Sequence, residues 1–399
     1  MKKMLFITPQ FPFPLDNGGK KGALNGIETV SKCYDVTVVS FCEDFSRVDE
    51  GLSKLNQMFP NVKFIKPINH PIHIRNKKFL LLKTLFKGFI IKKPYLTVKF
   101  INKQMKKVLC SLFSDSYFDV VFIDYINVGY YFDYIKKSFS GKYGRIFFKD
   151  HNIEYQLVEQ EMNKNKGIKK SILKYEYKQT YKYEKRLVLL ANICYTVSDQ
   201  NTNILKKYNE NTYTMNPVYK ENNMHNLTDN NNILYIGNLS WNQNLIGLNW
   251  FVEKVFPSIK AEISDAKLVV AGSGGKADLF CNVCDVDYLG FVDDLQPLYK
   301  NSKVFIVPLF DGSGIRIKIL DALNNHIAIV STPKGCEGLK LCNEKEIMIA
   351  SDEKGFADYI IELLRNYEKN NNIRNAGLEY LMKNYYLLSV QEKFENTIR

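Results

Sequence analysis

Apolar positions recur along this chain with two periods, and the two alternate. Short unbroken runs occur at Met4–Thr8, Val36–Phe41, Val120–Ile123, Ile146–Phe148, Ile193–Ser198, Ile233–Gly237, Lys267–Ala271 and Val304–Val307. Rich in β-branched and aromatic residues, they have the character of strands buried on both faces of a parallel sheet. Between them lie stretches of helical spacing: Gly22–Cys33 (Ala23, Leu24, Ile27, Val30), Lys169–Ala191, Asp199–Tyr208, Leu245 to about Ile263, Ile315–Asn324, Asp352–Tyr367 and the residues from Asn371 onward. Strand alternating with helix predicts βαβ units and an α/β fold. A Pro/Asn-rich stretch, Asn216–Asp229, interrupts the alternation and reads as a linker. At 399 residues two domains are expected, here 1–215 and 216–379.

Three strand ends carry candidate chemistry. Val304–Val307 runs into Pro308 and then Asp311–Gly312–Ser313–Gly314, a loop where backbone can approach a ligand. The helix that follows has Arg316 and Lys318 in its first turn and Asp321 in its middle. Cations near a helix N-terminus are locally unfavourable unless something negative sits there, so the arrangement suits a phosphate. A tight turn with solvated Arg and Lys is the alternative, and the loop alone does not decide. The first strand leads through Pro9 to Asn17–Gly18–Gly19, a Rossmann-like opening. A G-x-G-x-x-G run is absent, so no nicotinamide cofactor is expected. Ile146–Phe148 leads to Lys149–Asp150–His151–Asn152–Ile153–Glu154, placing a histidine where α/β folds put chemistry.

Composition adds a charge asymmetry. The net charge is +13. Residues 1–215 hold 36 Lys/Arg against 19 Asp/Glu, and residues 216–399 hold 19 against 23. From Gly51 to Ser114 there is no acidic residue and there are 14 Lys/Arg. Within it Phe79, Leu82, Phe86 and Phe89 recur at helical spacing beside Lys83 and Lys87, and Val98, Ile101, Met105, Val108 and Leu112 beside Lys99, Lys103, Lys106 and Lys107. Basic amphipathic helices of this kind can lie on an anionic membrane; each could equally pack its apolar face on the domain. Eight cysteines without a framework fit a reducing cytoplasm, and Cys281-x-x-Cys284 has no partner pair at zinc-site spacing. No run is apolar enough for a signal peptide or a membrane span.

Pro308 through Leu323 resembles the donor-site signature of retaining family-4 glycosyltransferases of the GT-B fold, the bacterial glycosyl transferases of group 1, in the variant G-S-G-I-R-x-K-x-L-(D/E)-A. The usual form has two Glu eight positions apart; here Ser313 and Asp321 stand in those places. The Gly that commonly caps this helix is His326, and the Pro that often follows is Ala328. Gly237-Asn238-Leu239-x-Trp241-x-x-Asn244 resembles the segment that usually supplies an Arg and a Lys to the donor diphosphate, places held here by Asn238 and Gln243. Gly290–Phe291–Val292 resembles the loop that reads the nucleotide base, and His151–Glu154 an H-N-x-E segment whose His lies beside the donor sugar. Gly18 and Gly19 fit the glycine pair facing the donor diphosphate; taken alone they equally fit a plain turn between strand and helix.

The resemblance implies two Rossmann-like domains facing a cleft, with the nucleotide-sugar donor held by 216–379 and the acceptor by 1–215. It also implies a last helix, about 380–399, that packs back on the first domain. The implied reaction is retaining transfer of a sugar to a hydroxyl of a glycan or lipid-linked saccharide, in cell-surface polysaccharide assembly. No cofactor, metal or nucleic acid is expected: no D-x-D run follows a strand, and fixed cations can stabilise a departing diphosphate. In that reading Arg316 and Lys318 neutralise the leaving group and His151 orients the sugar. Asp321 accepts from the ribose, Ser313 replaces the missing Glu, and Gly312, Gly314 and Ile315 complete the donor loop. The expected location is cytoplasmic and peripheral on the inner face of the membrane. A GT-B-shaped sugar-nucleotide epimerase or hydrolase, and a non-catalytic nucleotide-sugar-binding paralogue, are the rival readings.

Overall fold

A computed structural model describes residues 1–15, 17–73, 78–222, 225–275, 280, 283–311 and 316–399. The chain divides into two units: Met1–Val218 with Val390–Arg399, and Tyr219–Ser389. The first contains eight parallel strands: β1 (Lys2–Thr8), β2 (Tyr34–Cys42), β3 (Val62–Phe64), β4 (Ile68–Asn69), β5 (Phe118–Asp124), β6 (Tyr143–Asp150), β7 (Ile193–Thr196) and β8 (Thr212–Thr214). Their order is β3-β2-β1-β5-β6-β7-β8, with β4 beside β2. The second has β9 (Asn232–Ile236), β10 (Lys267–Ala271), β11 (Val286–Tyr288), β12 (Val304–Val307), β13 (Ala328–Ser331) and β14 (Met348–Ile349), in the order β11-β10-β9-β12-β13-β14, again all parallel. Two Rossmann-like parallel sheets make this the GT-B architecture.

Helices cover both faces of each sheet, so the central strands are buried on both sides. Met4, Leu5, Phe6 and Ile7 are inaccessible in succession, as are Val304 to Val307. Each sheet has one place where strand order reverses, between β1 and β5 and between β9 and β12. At such a switch point neighbouring loops leave in opposite directions and open a crevice beyond the carboxyl ends of the strands.

Several elements differ from the sequence reading, each for an identifiable reason. The first helix starts at Gly18 rather than Gly22, because the Asn17 side chain accepts from Lys20 N (3.0 Å) and caps it. Gly18 and Gly19 are therefore its first turn. The helix expected from Leu245 to Ile263 is Asn242–Trp250, a π turn at Phe251–Val255, then Phe256–Glu262. Pro257 has no N–H to continue the ladder, and the wider turn absorbs the break. The stripe drawn from Val98 to Leu112 is two helices, Tyr95–Val98 and Lys103–Asp115, the second capped by Asn102. Met105, Leu109 and Phe113 bury the second in the core, so its apolar face is packing surface. The donor-signature helix begins at Ile317, with Arg316 as its N-cap rather than in its first turn. It closes on His326 at φ +52, the left-handed conformation that glycine usually supplies there. The last helix, Leu387–Ile398, sets Phe394 in the first unit's core, while Gln391 Nε2 donates to Glu28 O at 3.0 Å.

Candidate functional site

Each switch point holds a built constellation. In the first unit, β1 and β5 end side by side, and Thr8 Oγ1 donates to Asp124 Oδ2 at 2.9 Å. The other oxygen, Asp124 Oδ1, lies 2.7 Å from His151 Nε2, just past the end of β6. A carboxylate only accepts, so Nε2 carries the imidazole proton. Burial pushes the His151 pKa down to about 4, with the Lys149 charge adding to the effect and Asp124 opposing it. The ring is neutral at pH 7, with one fixed tautomer. Tyr125 stacks on it with centroids 3.4 Å apart and planes 3° from parallel, and holds φ +75 to do so. Gly22 faces this stack: a Cβ there would meet His151 Cε1 and Tyr125 Oη at 2.9 Å. Tyr125 Oη donates to Gly19 O at 3.4 Å, tying the glycine helix to the histidine.

The residue before the histidine has a different task. Asp150 is buried, and burial beside Glu184 and Glu154 holds its carboxyl far above the ordinary range, so it keeps its proton. Glu184 accepts from Glu154 N (2.7 Å) and Tyr155 N (3.1 Å), capping the helix Glu154–Asn163 that continues the H-N-x-E segment.

In the second unit the loops after β9, β10 and β11 are stitched by backbone hydrogen bonds. Gly237 N donates to Ala271 O (3.0 Å), Leu239 N to Ser273 O (2.7 Å) and Gly272 N to Gly290 O (2.7 Å). Gly272 (φ +144) and Gly274 (φ +87) take conformations that side chains resist. The helix Asn242–Trp250 packs so tightly on the chain leaving β12 that a Cβ on Gly247 would overlap the Pro308 carbonyl. Asn244 links the parts: its Nδ2 donates to Asn238 O (2.8 Å), and its Oδ1 accepts from Lys318 Nζ (3.2 Å).

Lys318 is the centre of this arrangement. Its ammonium sits 4.8 Å from the Tyr235 ring centroid and 3.0 Å from where a Gly237 Cβ would be. No carboxylate among the described residues pairs with it. Burial, aided by the nearby Arg316 charge, pulls its pKa down to about 8. Burial also lowers the Arg316 pKa, against Glu337 and Asp311, and its Nη2 donates to Asp311 O at 3.4 Å. Asp321, one turn on, is held by Tyr219, whose Oη donates to its Oδ1 at 2.7 Å. Asn238 is exposed and accepts from Ser240 N (2.9 Å), and Gln243 is half-buried in the first turn after it. Phe291 is exposed, Val292 half-buried. Gly312, Ser313, Gly314 and Ile315 lie outside the described residues, as does Cys281.

The structure thus brings Lys318 together with Gly237 and Asn238, and His151 together with the glycine helix. Sequence reasoning missed Thr8, Asp124, Tyr125 and the linking role of Asn244. Asp124 had a usable signal, since it follows the apolar run Val120–Ile123 as His151 follows Ile146–Phe148. Among the described residues no group of three or more His, Cys, Asp or Glu side chains could hold a metal ion.

Residues 230–366, about a third of the chain, match the family described as glycosyl transferases group 1. An uncharacterized 44.6 kDa protein in the cps region of Klebsiella pneumoniae is 25% identical over 403 residues, covering 96% of this chain and 97% of its own. The Anabaena protein HepE, solved with UDP and glucose, superposes with a TM-score of 0.61 at 10% identity, covering 100% of this chain and 99% of its own. A variant of S. aureus TarM, solved with fondaparinux, alpha-GlcNAc-glycerol and UDP, gives 0.63 at 11% identity, with both chains covered 100%.

Proposed function

We propose that this chain of GT-B fold, whose residues 230–366 match the group 1 glycosyl transferases, moves a sugar, with retention, from a nucleoside diphosphate sugar to a hydroxyl of a glycan or lipid-linked saccharide. The observation that carries the donor class is Lys318. A partly desolvated ammonium beside a second cation, at the start of a helix and with no carboxylate partner among the described residues, is costly until an anion arrives. A diphosphate fits that place in size and charge. As the bond to the sugar breaks, charge grows on the departing phosphate, and preorganised Lys318 and Arg316 stabilise it without a metal. The resemblance gives His151 the place beside the transferred sugar. A neutral ring clamped by Asp124 through Nε2 leaves Nδ1 free of a proton, so it can accept a hydrogen bond there without adding a charge that would oppose an oxocarbenium-like centre. Asp321, steadied by Tyr219, takes the ribose hydroxyls, and Gly290–Phe291–Val292 the base.

The UDP bound in HepE and TarM favours a uridine nucleotide, and the Klebsiella relative's place in a cps region favours capsule-type polysaccharide as the pathway. The excess of positive charge in the first unit supports a peripheral position at the inner face of the cell membrane as part of this reading. No helix among the described residues is long and apolar enough to cross a membrane.

A thermal-shift panel of UDP-, GDP- and ADP-sugars tests the donor, because a ligand that binds only the native state raises the melting temperature. Transfer to lipid-linked saccharides with the sugar that scores, followed by NMR of the product anomer, tests the rest. An inverted anomer overturns retention. A stable free sugar formed without acceptor would show a hydrolase or epimerase. Binding without turnover would favour a nucleotide-sugar-binding subunit, the reading motivated by Asn238 and Gln243 where the family usually has Arg and Lys.

A further inference from the structure

The helix Lys78–Ile91 turns its large apolar side chains outward. Phe79, Leu82, Phe86, Phe89 and Ile90 are each 61–82% exposed, whereas the buried residues of this helix are Thr84 and Gly88. Gly88 sits where a Cβ would come within 3.0 Å of Lys93 O, so the small side is the packed side. A surface helix ordinarily does the reverse. Phe79, Leu82, Lys83, Phe86, Lys87 and Ile90 follow the i, i+3, i+4 spacing of a single stripe, so two exposed lysines interleave the apolar groups.

The stripe continues onto the helix Gly167–Leu190. The Phe89 ring lies 5.3 Å from that of Tyr175, and Tyr175 Oη donates to Phe89 O at 3.4 Å. Ile172 and Ile168, about one and two turns before Tyr175 on the same face, are 46% and 82% exposed. Lys170 and Lys174 are exposed on the same helix. Glu176, the acid closest to Tyr175 in sequence, is turned inward, where it accepts from Tyr95 N at 2.9 Å.

We propose that this two-helix patch lies in the plane of an anionic lipid leaflet, with the phenyl and leucyl groups at the acyl boundary and the lysines at the headgroup phosphates. The assignment rests on the peripheral membrane contact proposed above and locates it. Charge selects the occupant. A second copy of this chain would set the lysines of residues 51–114 against one another with no carboxylate from that stretch between them. An anionic leaflet supplies apolar depth and negative charge in one plane.

Co-sedimentation with vesicles tests this, comparing phosphatidylcholine alone with phosphatidylcholine and phosphatidylglycerol in equal parts. The wild type should sediment with the anionic vesicles only, and be released in ~1 M salt, where the Debye length is about 3 Å. The Lys83→Gln/Lys87→Gln double variant should lose about 30-fold in partition coefficient, at roughly fivefold per lysine. Phe79→Ser/Phe86→Ser should lose roughly 10- to 100-fold. Both should keep the wild-type melting temperature, since all four side chains are exposed. Phe86→Trp should shift its emission to the blue on anionic vesicles. If the wild type binds anionic vesicles and both double variants bind equally well, the patch is wrong and the membrane reading stands. If the wild type ignores anionic vesicles, both fail. A wild-type dimer that Phe79→Ser/Phe86→Ser dissolves would overturn the lipid assignment in favour of a second copy.

Discussion

Replacing Lys318 with Met tests the phosphate site without any knowledge of the acceptor. In the ligand-free protein the Lys318 pKa falls from 10.5 to about 8, mainly because burial disfavours the charged form. A difference of about 2.5, at ~1.4 kcal/mol per pH unit, gives ~3.5 kcal/mol. The side chain is only half-buried, and water reaching it reduces the effect to about 1–2 kcal/mol. The sign follows from proton counting. Between about pH 8 and 10.5 the unfolded chain still holds the lysine proton and the folded chain has released it, so stability rises with pH in that window. Below pH 8 both states are protonated and the penalty is present in full. Wild type should therefore gain about 1–2 kcal/mol relative to Lys318→Met as the pH rises from 8 to 10.5, read as melting curves in parallel buffers. Adding UDP at pH 7 tests the other half. The variant lacks a charge-assisted contact worth about 1.5–3 kcal/mol, so its Kd should rise roughly 10- to 150-fold. A variant with the wild-type pH slope and the wild-type UDP-induced shift would remove Lys318 from the site.

Three further outcomes are expected. Arg316→Ala should cut kcat/KM by about 10²- to 10³-fold, the ~3–4 kcal/mol typical of a preorganised leaving-group contact, with its melting temperature unchanged; unaltered kinetics in the folded variant refutes the role. Asp124→Asn should lower turnover at least roughly tenfold and change the nitrogen on which His151 carries its proton, read from ring ¹⁵N shifts, because an amide no longer offers two acceptors. An unchanged tautomer would separate Asp124 from His151. Gly247→Ala should destabilise the second unit by more than ~3 kcal/mol, since its methyl overlaps the Pro308 carbonyl; a wild-type melting curve would contradict that packing.

What the sequence disclosed, and what it hid, follows from range and direction. The central strands were legible because burial on both faces leaves an unbroken apolar run, as in Val304–Val307. Strands β3, β4, β8, β11 and β14 were not, being two or three residues long, several with an exposed or half-buried polar residue such as Lys63 or Asp287. The charged members of the candidate site were visible as residue types after strands. Their partners were not, because the pairing is tertiary: Thr8 and Asp124 are 116 residues apart, Tyr219 and Asp321 102, Asn244 and Lys318 74. Periodicity likewise yields a stripe and not the direction it faces. The stripes at 79–89 and 98–112 looked alike, yet Met105 and Leu109 are inaccessible while Phe79 and Phe86 stand in solvent.

Charge at the two switch points runs against the charge of the unit around each. Residues 1–215 carry an excess of 17 positive charges, yet around their strand ends two carboxylates, Asp124 and Glu184, are buried with the protonated Asp150 against one buried cation, Lys149. Residues 216–399 carry an excess of 4 negative charges, yet the helix after β12 opens on Arg316 and Lys318. Solubility and bulk stability would be served as well by random placement, and each local inversion costs desolvation energy. In the first unit part of that cost is met internally: Asp124 by Thr8 and His151, Glu184 by two backbone N–H groups and the Asp150 proton. In the second unit the cost on Lys318 stays unmet among the described residues, where an amide oxygen and an aromatic face lie beside it. A cluster whose members largely pair with one another is architecture that fixes a histidine. A cation beside another cation, unpaired among the described residues, is an arrangement an anion would relieve, and that difference is the ground on which we propose the phosphate site in the second unit.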